Sequence, residues 1–309
     1  MNLNNVLLDN ERNEHLVKRL NRLSGWKFFL VLWRNNMGRV LLINWMVLIF
    51  TLPIIASNIW NGMMVSELKT TLPYYGSFGM GTGAWTSVIT EYNSRVMAFN
   101  QQTALLCLGG SIVLSLVLSG VFAIIRDSFW IGQLRILRPF GMGIKANFLY
   151  AFISTIVIAG SVYGIVQFYW WSSVALSSWL AITLTVVLSL IAMFVAMFLF
   201  ILCSVSVTYR QSVGQNLKDS WKLMWLNPLP NIFHFVASML PVILIFWIGV
   251  DGSSLIGMLL LMFMLMVGAF YVPFVWQTFM MRTFALFHPV LVNKKGETIV
   301  KQQPTEQGA

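Results

Sequence analysis

The chain has 309 residues, of which 58% are hydrophobic and only 10% are charged. A soluble globular domain carries about 25% charged residues, so this composition excludes an ordinary soluble fold. The net charge of +10 would suggest nucleic acid as the partner of a soluble protein, but in a membrane protein it reports on orientation. We therefore expect a membrane protein without a nucleic-acid partner.

Six apolar segments are long enough to cross a bilayer, which takes about 20 residues. They cover residues 40–57, 103–125, 147–169, 179–208, 233–250 and 254–279. The sequence therefore predicts an all-α integral membrane protein with six transmembrane helices. The fourth and sixth segments exceed the minimum length, so we expect them to tilt or to project from the bilayer.

The basic residues alternate along the chain between the connections that join these segments. Of the 20 Lys and Arg residues, only Lys69 and Arg95 fall outside the two terminal segments and the alternate connections. The positive-inside rule then places both termini in the cytoplasm, an arrangement that needs an even number of spans.

Three regions follow from this pattern. Residues 1–39 form a basic amphipathic cytoplasmic segment, residues 40–282 form the transmembrane domain, and residues 283–309 form a polar cytoplasmic tail. The first extracytoplasmic connection, residues 58–102, is predicted to be a long loop.

A basic, amphipathic cytoplasmic segment precedes spans one, three and five. The first belongs to residues 1–39, the second is 138–148 and the third is 212–223. Such segments are typical of helices that lie among lipid headgroups, and the alternative is that they dock a partner protein. The candidate contact residues in the second and third segments are Phe140, Lys145, Lys218 and Trp221.

The 58–102 connection is rich in aromatic residues and glycine, and it is too apolar for plain disorder. Its glycines lack the context of a phosphate-binding loop. We expect its aromatic residues to pack against the bilayer or a neighbouring protein, with sugar binding as an alternative. The candidate contact residues here are Tyr74, Tyr75, Phe78 and Trp85.

Two patterns of small residues predict close helix packing. Ser111, Ser115 and Ser119 share a face of span two, and Gly160 and Gly164 form a small-xxx-small pair in span three. Small residues let helix backbones approach each other in lipid. Packing within the bundle is the favoured interpretation, and contact with another subunit stays open.

Residues suited to catalysis are sparse. The three histidines belong to separate segments, and every acidic residue lies outside the spans or at their edges. No zinc-protease, nucleophile-elbow or Walker pattern occurs. We therefore predict no enzyme activity and assign no catalytic, cofactor-binding or metal-binding residue. Cys107 and Cys203 are interpreted as small buried hydrophobes, and Asn44 and Gln167 as interhelical or interfacial hydrogen-bonding groups.

Three short motifs resemble those of YesL-like membrane proteins, a family of unknown function in Gram-positive bacteria. They are the segments Asn44–Pro53, Phe140–Phe148 and Ser212–Ser220, which keep the order and spacing of that family. In the second motif Ile144 replaces a phenylalanine, and the 58–102 connection and the polar tail have no counterpart. The resemblance implies a multi-pass protein of the bacterial plasma membrane, encoded beside carbohydrate ABC importers.

The function that the resemblance implies is an accessory subunit of an ABC-type oligosaccharide importer, which stabilises or gates the permease. Its partners would be the permease and ATPase subunits, membrane lipids, and the solute-binding protein, reached through residues 58–102. The first alternative is an independent small-molecule transporter or channel, with helices broken near Pro53, Pro241 or Pro273. The second is a lipid-modifying membrane enzyme, against which the missing acid–base cluster argues.

Overall fold

A computed structural model describes residues 25–71, 82–131, 134–209, 211–248, 255–287, 291–292 and 298–299. These residues are almost entirely helical. The eight α-helices are α1 (Gly25–Thr71), α2 (Thr82–Ile131), α3 (Leu137–Ala175), α4 (Ser178–Thr208), α5 (Val213–Leu226), α6 (Pro228–Ile248), α7 (Leu255–Phe263) and α8 (Ala269–Phe287). A π-helix, Met264–Gly268, joins α7 to α8, and two short antiparallel strands, Leu291–Val292 and Thr298–Ile299, pair in the tail.

The helices are consistent with a multi-pass membrane protein. Among the described residues, five helices are long and apolar enough to cross a membrane, and the count rises to six if α5 and α6 form one broken span. The axis bends by 98° between these two helices. The prediction of six spans therefore agrees with the structure only when this bent pair is counted as a span.

The prediction of a long loop at residues 58–102 was wrong for most of its length. Helix α1 continues to Thr71 and α2 begins at Thr82, so the described part of the connection is helical. At about 1.5 Å per residue, the two apolar spans Asn36–Leu68 and Ser94–Phe129 are each longer than the hydrocarbon core is thick. The paired ends of the two helices, residues 58–71 and 82–102, are here named the outer hairpin.

The outer hairpin is helical because its two arms bury side chains against each other. The Nδ2 atom of Asn61 donates a hydrogen bond to Oδ1 of Asn100 at 2.9 Å. A small apolar cluster also joins the two arms, further from the bundle than the bond between Asn61 and Asn100. It contains Leu68, Tyr92 and Val96. The exposed ion pair between Glu91 and Arg95 adds an i,i+4 contact within α2.

Basic residues lie together at one end of the bundle, which is here called the basic end. Arg39 and Arg126 are among them. The guanidinium of Arg39 near the start of α1 donates to the Leu134 carbonyl, 2.7 Å away, just before α3. Arg126 near the end of α2 donates to the Val207 carbonyl at the end of α4. The rings of Tyr209 and Phe284 lie 5.4 Å apart, which brings the end of α8 to the same place.

Burial divides the helices into a core and a periphery. In the most apolar window of α2 and of the span Met264–Phe284, 61% of residues are buried, against 11% in α3. Helix α4 changes character along its length. Its exposed large hydrophobics lie between Trp179 and Val195, whereas Met197–Thr208 is buried or partly buried.

The two patterns of small residues have opposite outcomes. Ser111, Ser115 and Ser119 are buried, as intramolecular packing predicts. A Cβ atom added at Gly160 or Gly164 would meet no atom of the described structure within 4 Å. These two glycines therefore do not serve close packing against any of the described residues.

Of the three expected amphipathic segments, only the third is a separate helix in the described residues. The hydrophobic repeat before span one lies outside the described residues, and 138–148 forms the first turns of α3 without a break. Residues 213–226 form α5, capped by Ser212, whose side chain accepts from the Gln215 N–H. The second segment is continuous with its span, and Pro139 is tolerated because it lies in the first turn of α3.

Candidate functional site at the basic end

The basic end contains a buried ion pair between neighbouring residues of α2. Nε of Arg126 donates to Oδ1 of Asp127 at 2.7 Å, and the Asp127 side chain is 1% exposed. Arg135 and Arg138 also act electrostatically on this carboxylate. The Asp127 carboxylate thus lies near the guanidinium groups of three arginines, Arg126, Arg135 and Arg138. Its Oδ2 atom has no hydrogen-bond partner among the described residues.

A second polar group joins α3, α4 and α5, and it is here called the polar seam (Asn147, Tyr150, Ser206 and Asn216). Ser206 donates to the Asn147 side chain, and Asn216 donates to the Tyr150 hydroxyl at 2.9 Å. Asn147 and Asn216 are buried. Buried polar groups need partners, so this seam fixes how the three helices meet.

Helix α8 contributes a buried amide without a partner in the described structure. Gln277 has no solvent exposure, and neither its oxygen nor its nitrogen is hydrogen-bonded there. The preceding Trp276 packs edge-on against Phe200 and Phe235, with ring centroids 5.9 and 5.7 Å apart. An unsatisfied buried amide is costly, so Gln277 marks a place for water or a polar ligand.

Polar and aromatic side chains hold the start of α6 in place by hydrogen bonding and ring stacking. Nδ2 of Asn231 donates to the carbonyls of Leu223 and Met224, at 3.0 and 3.1 Å, and holds the bend after α5. The ring of His234 stacks on Phe279 with centroids 3.7 Å apart. This histidine has a packing role.

The phenol of Tyr209 lies just beyond the end of α4. Burial raises the pKa of Tyr209, and the negative charge of Asp219 raises this pKa further. The phenol therefore stays neutral at physiological pH, and it can act only as a hydrogen-bonding group.

The predicted contact residues whose side chains the structure describes lie on two helices, α3 and α5. Phe140 packs against the core beside Gly120, where an added Cβ would lie 2.1 Å from the phenylalanine ring. Lys145, Lys218 and Trp221 are exposed. Tyr74, Tyr75 and Phe78 lie outside the described residues, as does the side chain of Trp85, whose backbone belongs to α2.

Phe140 is partly buried and packs within the bundle, and its predicted role in partner contact stays a prediction. Its ring fills the space left by Gly120 on the neighbouring helix. The sequence did not reveal this because the contact joins residues on two different helices.

The sequence also gave no direct sign of the polar seam. The available signal was the four-residue spacing of Asn216 and Ser220, which places both on one face of α5. Among the residues that the structure describes, no group of three His, Cys, Asp or Glu side chains is arranged to hold a metal ion. The basic end is thus a hydrogen-bonded assembly of helix ends.

No family model, curated protein or solved structure matches the chain. The resemblance to YesL-like proteins therefore stays a prediction that rests on three short motifs.

Proposed function

We propose that the protein is a membrane-integral accessory subunit of an ABC-type carbohydrate importer, which stabilises or gates the permease. The observation that supports this proposal is the open face of α3 around Gly160 and Gly164. An accessory subunit must offer its partner a helix surface that its own bundle leaves uncovered.

The open face of α3 continues along the helix on both sides of the glycines. Leu149, Ile153 and Val157 are exposed and fall on the same side as Gly160 at helical spacing. Two glycines four residues apart make a notch in this apolar ridge. A partner helix can approach closely at such a notch, which favours association in lipid even without a hydrophobic driving force.

The basic end of the bundle faces the cytoplasm in this proposal, following the positive-inside rule. Arg34, Arg39, Arg138 and Lys145 lie there and are exposed. The outer hairpin then projects on the opposite side, where a solute-binding protein would deliver sugar. ATP hydrolysis is assigned to the partner ATPase.

The decisive variants enlarge both glycines of the notch. Gly160→Leu combined with Gly164→Leu leaves the chain's own packing intact, since no described atom lies within 4 Å of either added Cβ. We expect normal expression and thermal stability, but at least a five-fold loss of co-purifying permease after mild solubilisation.

The matched control is Gly109→Leu, because Gly109 on α2 is also exposed and its added Cβ also meets no atom. This variant should retain the permease as the wild type does. Equal permease recovery with the double variant and the wild type would contradict the proposal.

A second candidate function, an independent small-molecule transporter or channel, is favoured by Gln277. This unpartnered buried amide lies one turn after Pro273, on the helix that the π-helix Met264–Gly268 interrupts. Broken helices with free polar groups line the binding sites of many transporters. Purified protein that moves solute in liposomes without any partner would support this alternative over the accessory role.

A further inference from the structure

Helix α5 buries polar side chains and exposes large apolar ones, which is the reverse of the usual pattern for a helix at the surface of a soluble protein. Its buried residues are Asn216, Ser220 and Met224, so two of the three side chains that face the bundle are polar. The neighbouring side of the helix presents Leu217, Trp221 and Trp225. These three are 41%, 55% and 56% exposed, which leaves an apolar strip uncovered.

The depth of this strip follows from α4. Residues Ser178 to Phe198 span about 30 Å at 1.5 Å per residue, which equals the thickness of the hydrocarbon core. The ring of Trp221 packs edge-on against that of Phe198, with centroids 6.1 Å apart. Beyond this level α4 is covered by protein, since its exposed hydrophobics end at Val195. The apolar strip of α5 therefore lies at the level where the hydrocarbon ends.

The orientation of α5 follows from the bend that separates it from α6. The two axes make an angle of 98°. Helix α6 has 21 residues, the length that crosses a hydrocarbon core, so an α6 that runs along the membrane normal places α5 close to parallel with the membrane plane. Tryptophan is enriched at this level of membrane proteins, and Trp221 and Trp225 lie 5.8 Å apart there.

The charges of α5 complete the pattern of an interfacial helix. Lys218 and Lys222 are exposed and lie on the side opposite the buried residues, next to the apolar strip. The fourth side carries Gln215 and Asp219, which are hydrogen-bonded to each other at 2.9 Å. The lysines thus extend laterally at headgroup level, and the acidic side points away from the bilayer.

We propose that α5 is an interfacial helix that binds anionic phospholipid, with Leu217, Trp221 and Trp225 among the upper acyl chains and Lys218 and Lys222 on headgroup phosphates. This role goes beyond the proposed accessory function and does not depend on it. The continuity of the strip with the exposed hydrophobic surface of α4 favours lipid as the occupant over a soluble protein. A basic residue near an anionic membrane surface contributes about five-fold in affinity.

The test titrates the full chain in mild detergent with phosphatidylglycerol, with phosphatidylcholine and with soluble glycerol phosphate, and counts bound molecules by native mass spectrometry. We expect preferential binding of phosphatidylglycerol and no binding of glycerol phosphate. Lys218→Gln with Lys222→Gln should weaken phosphatidylglycerol binding at least five-fold. Arg95→Gln, which removes an exposed basic residue at the opposite end of the bundle, is the control and should leave this binding unchanged. Equal binding of both phospholipids, or no loss in the lysine variant, would overturn the proposal.

A second measurement locates the helix directly. A spin label at position 217 in protein reconstituted into nanodiscs should be accessible to oxygen, which concentrates in lipid. A label at position 215 should be accessible to a water-soluble nickel complex. Aqueous accessibility at both positions would show that α5 stands in solvent, and inaccessibility at position 217 to both reagents would show that protein covers it. Either result would overturn the lipid assignment.

Discussion

The side-chain oxygen of Asn44 accepts a hydrogen bond from the backbone N–H of Phe270, with the two atoms 3.0 Å apart. The nitrogen of the same amide donates to the carbonyls of Met264 and Leu265, at 3.0 and 2.9 Å. These carbonyls belong to the π-helix Met264–Gly268, where the regular α-helical pattern is interrupted. One fully buried side chain of α1 thus satisfies backbone groups within the π-helix and at the start of α8.

Replacing Asn44 by Ala should destabilise the protein by about 2 kcal/mol, because buried backbone groups that lose their partners retain their full desolvation cost. The loss is measurable as a lower midpoint of thermal unfolding in detergent. The matched control is Asn58→Ala, since Asn58 is exposed and donates mainly to the Ile54 carbonyl of its own helix. An unfolding midpoint for Asn44→Ala equal to that of Asn58→Ala would contradict the structural role of the amide.

Gly143 lies at a close approach of α3 to α2. A Cβ atom at this position would lie 2.5 Å from Cβ of Ala123 and 2.7 Å from the Ser119 carbonyl oxygen. Gly143→Ala should therefore force the helices apart, at a cost of about 1–3 kcal/mol. Gly141→Ala, two residues earlier on the same helix, meets no atom and should leave stability unchanged or slightly higher. Chemical denaturation of both variants in one detergent compares them, and equal stabilities would refute the close approach.

Asp127→Asn should be strongly destabilising because it leaves the guanidinium of Arg126 buried without its countercharge. Breaking a buried pair costs about 3–5 kcal/mol, whereas an exposed pair contributes less than about 1 kcal/mol. Glu91→Gln, which breaks the exposed pair with Arg95, is therefore the control. The double variant Arg126→Met with Asp127→Asn should recover part of the lost stability. A single Asp127→Asn variant as stable as Glu91→Gln would show that the pair is not buried as described.

The outer hairpin should open when its small apolar cluster is disrupted. Val96 is buried against Leu68 and Tyr92, so Val96→Asp places an unpaired carboxylate between the two arms. We expect faster cleavage within residues 58–102 during limited proteolysis of reconstituted protein, while the rest of the bundle stays intact. Met97→Asp at the next, exposed position is the control, and equal cleavage of the two variants would contradict the paired hairpin.

Composition and periodicity predicted the membrane architecture because lipid-facing helices need long apolar segments whatever their neighbours. They also predicted that Asn44 is an interhelical or interfacial hydrogen-bonding residue, and its bonds are interhelical. Composition and periodicity did not predict that α1 and α2 continue as helices into residues 58–102. The pairing of Asn61 with Asn100 depends on the register between two separate helices, and no local pattern encodes that register.

The small residues show the same limit. Ser111 and Gly160 each belong to a four-residue repeat that predicts close helix contact, yet the first is buried in the bundle and the second is open. A four-residue repeat of small residues indicates that another helix backbone can approach closely, but it does not indicate which helix does so. The polar seam was missed for a related reason, because Asn147 bonds to Ser206 of α4 and Asn216 bonds to Tyr150 of α3, and both contacts form only when the helices pack.

The accessory role is tested most directly by light crosslinking in native membranes, purification of the chain in mild detergent, and mass spectrometry of the proteins that accompany it. The proposal predicts permease and ATPase subunits in stoichiometric amounts, with crosslinks that map to the exposed side of α3 near Gly160. Recovery of the chain alone would contradict the accessory role and would turn attention to transport by the protein itself.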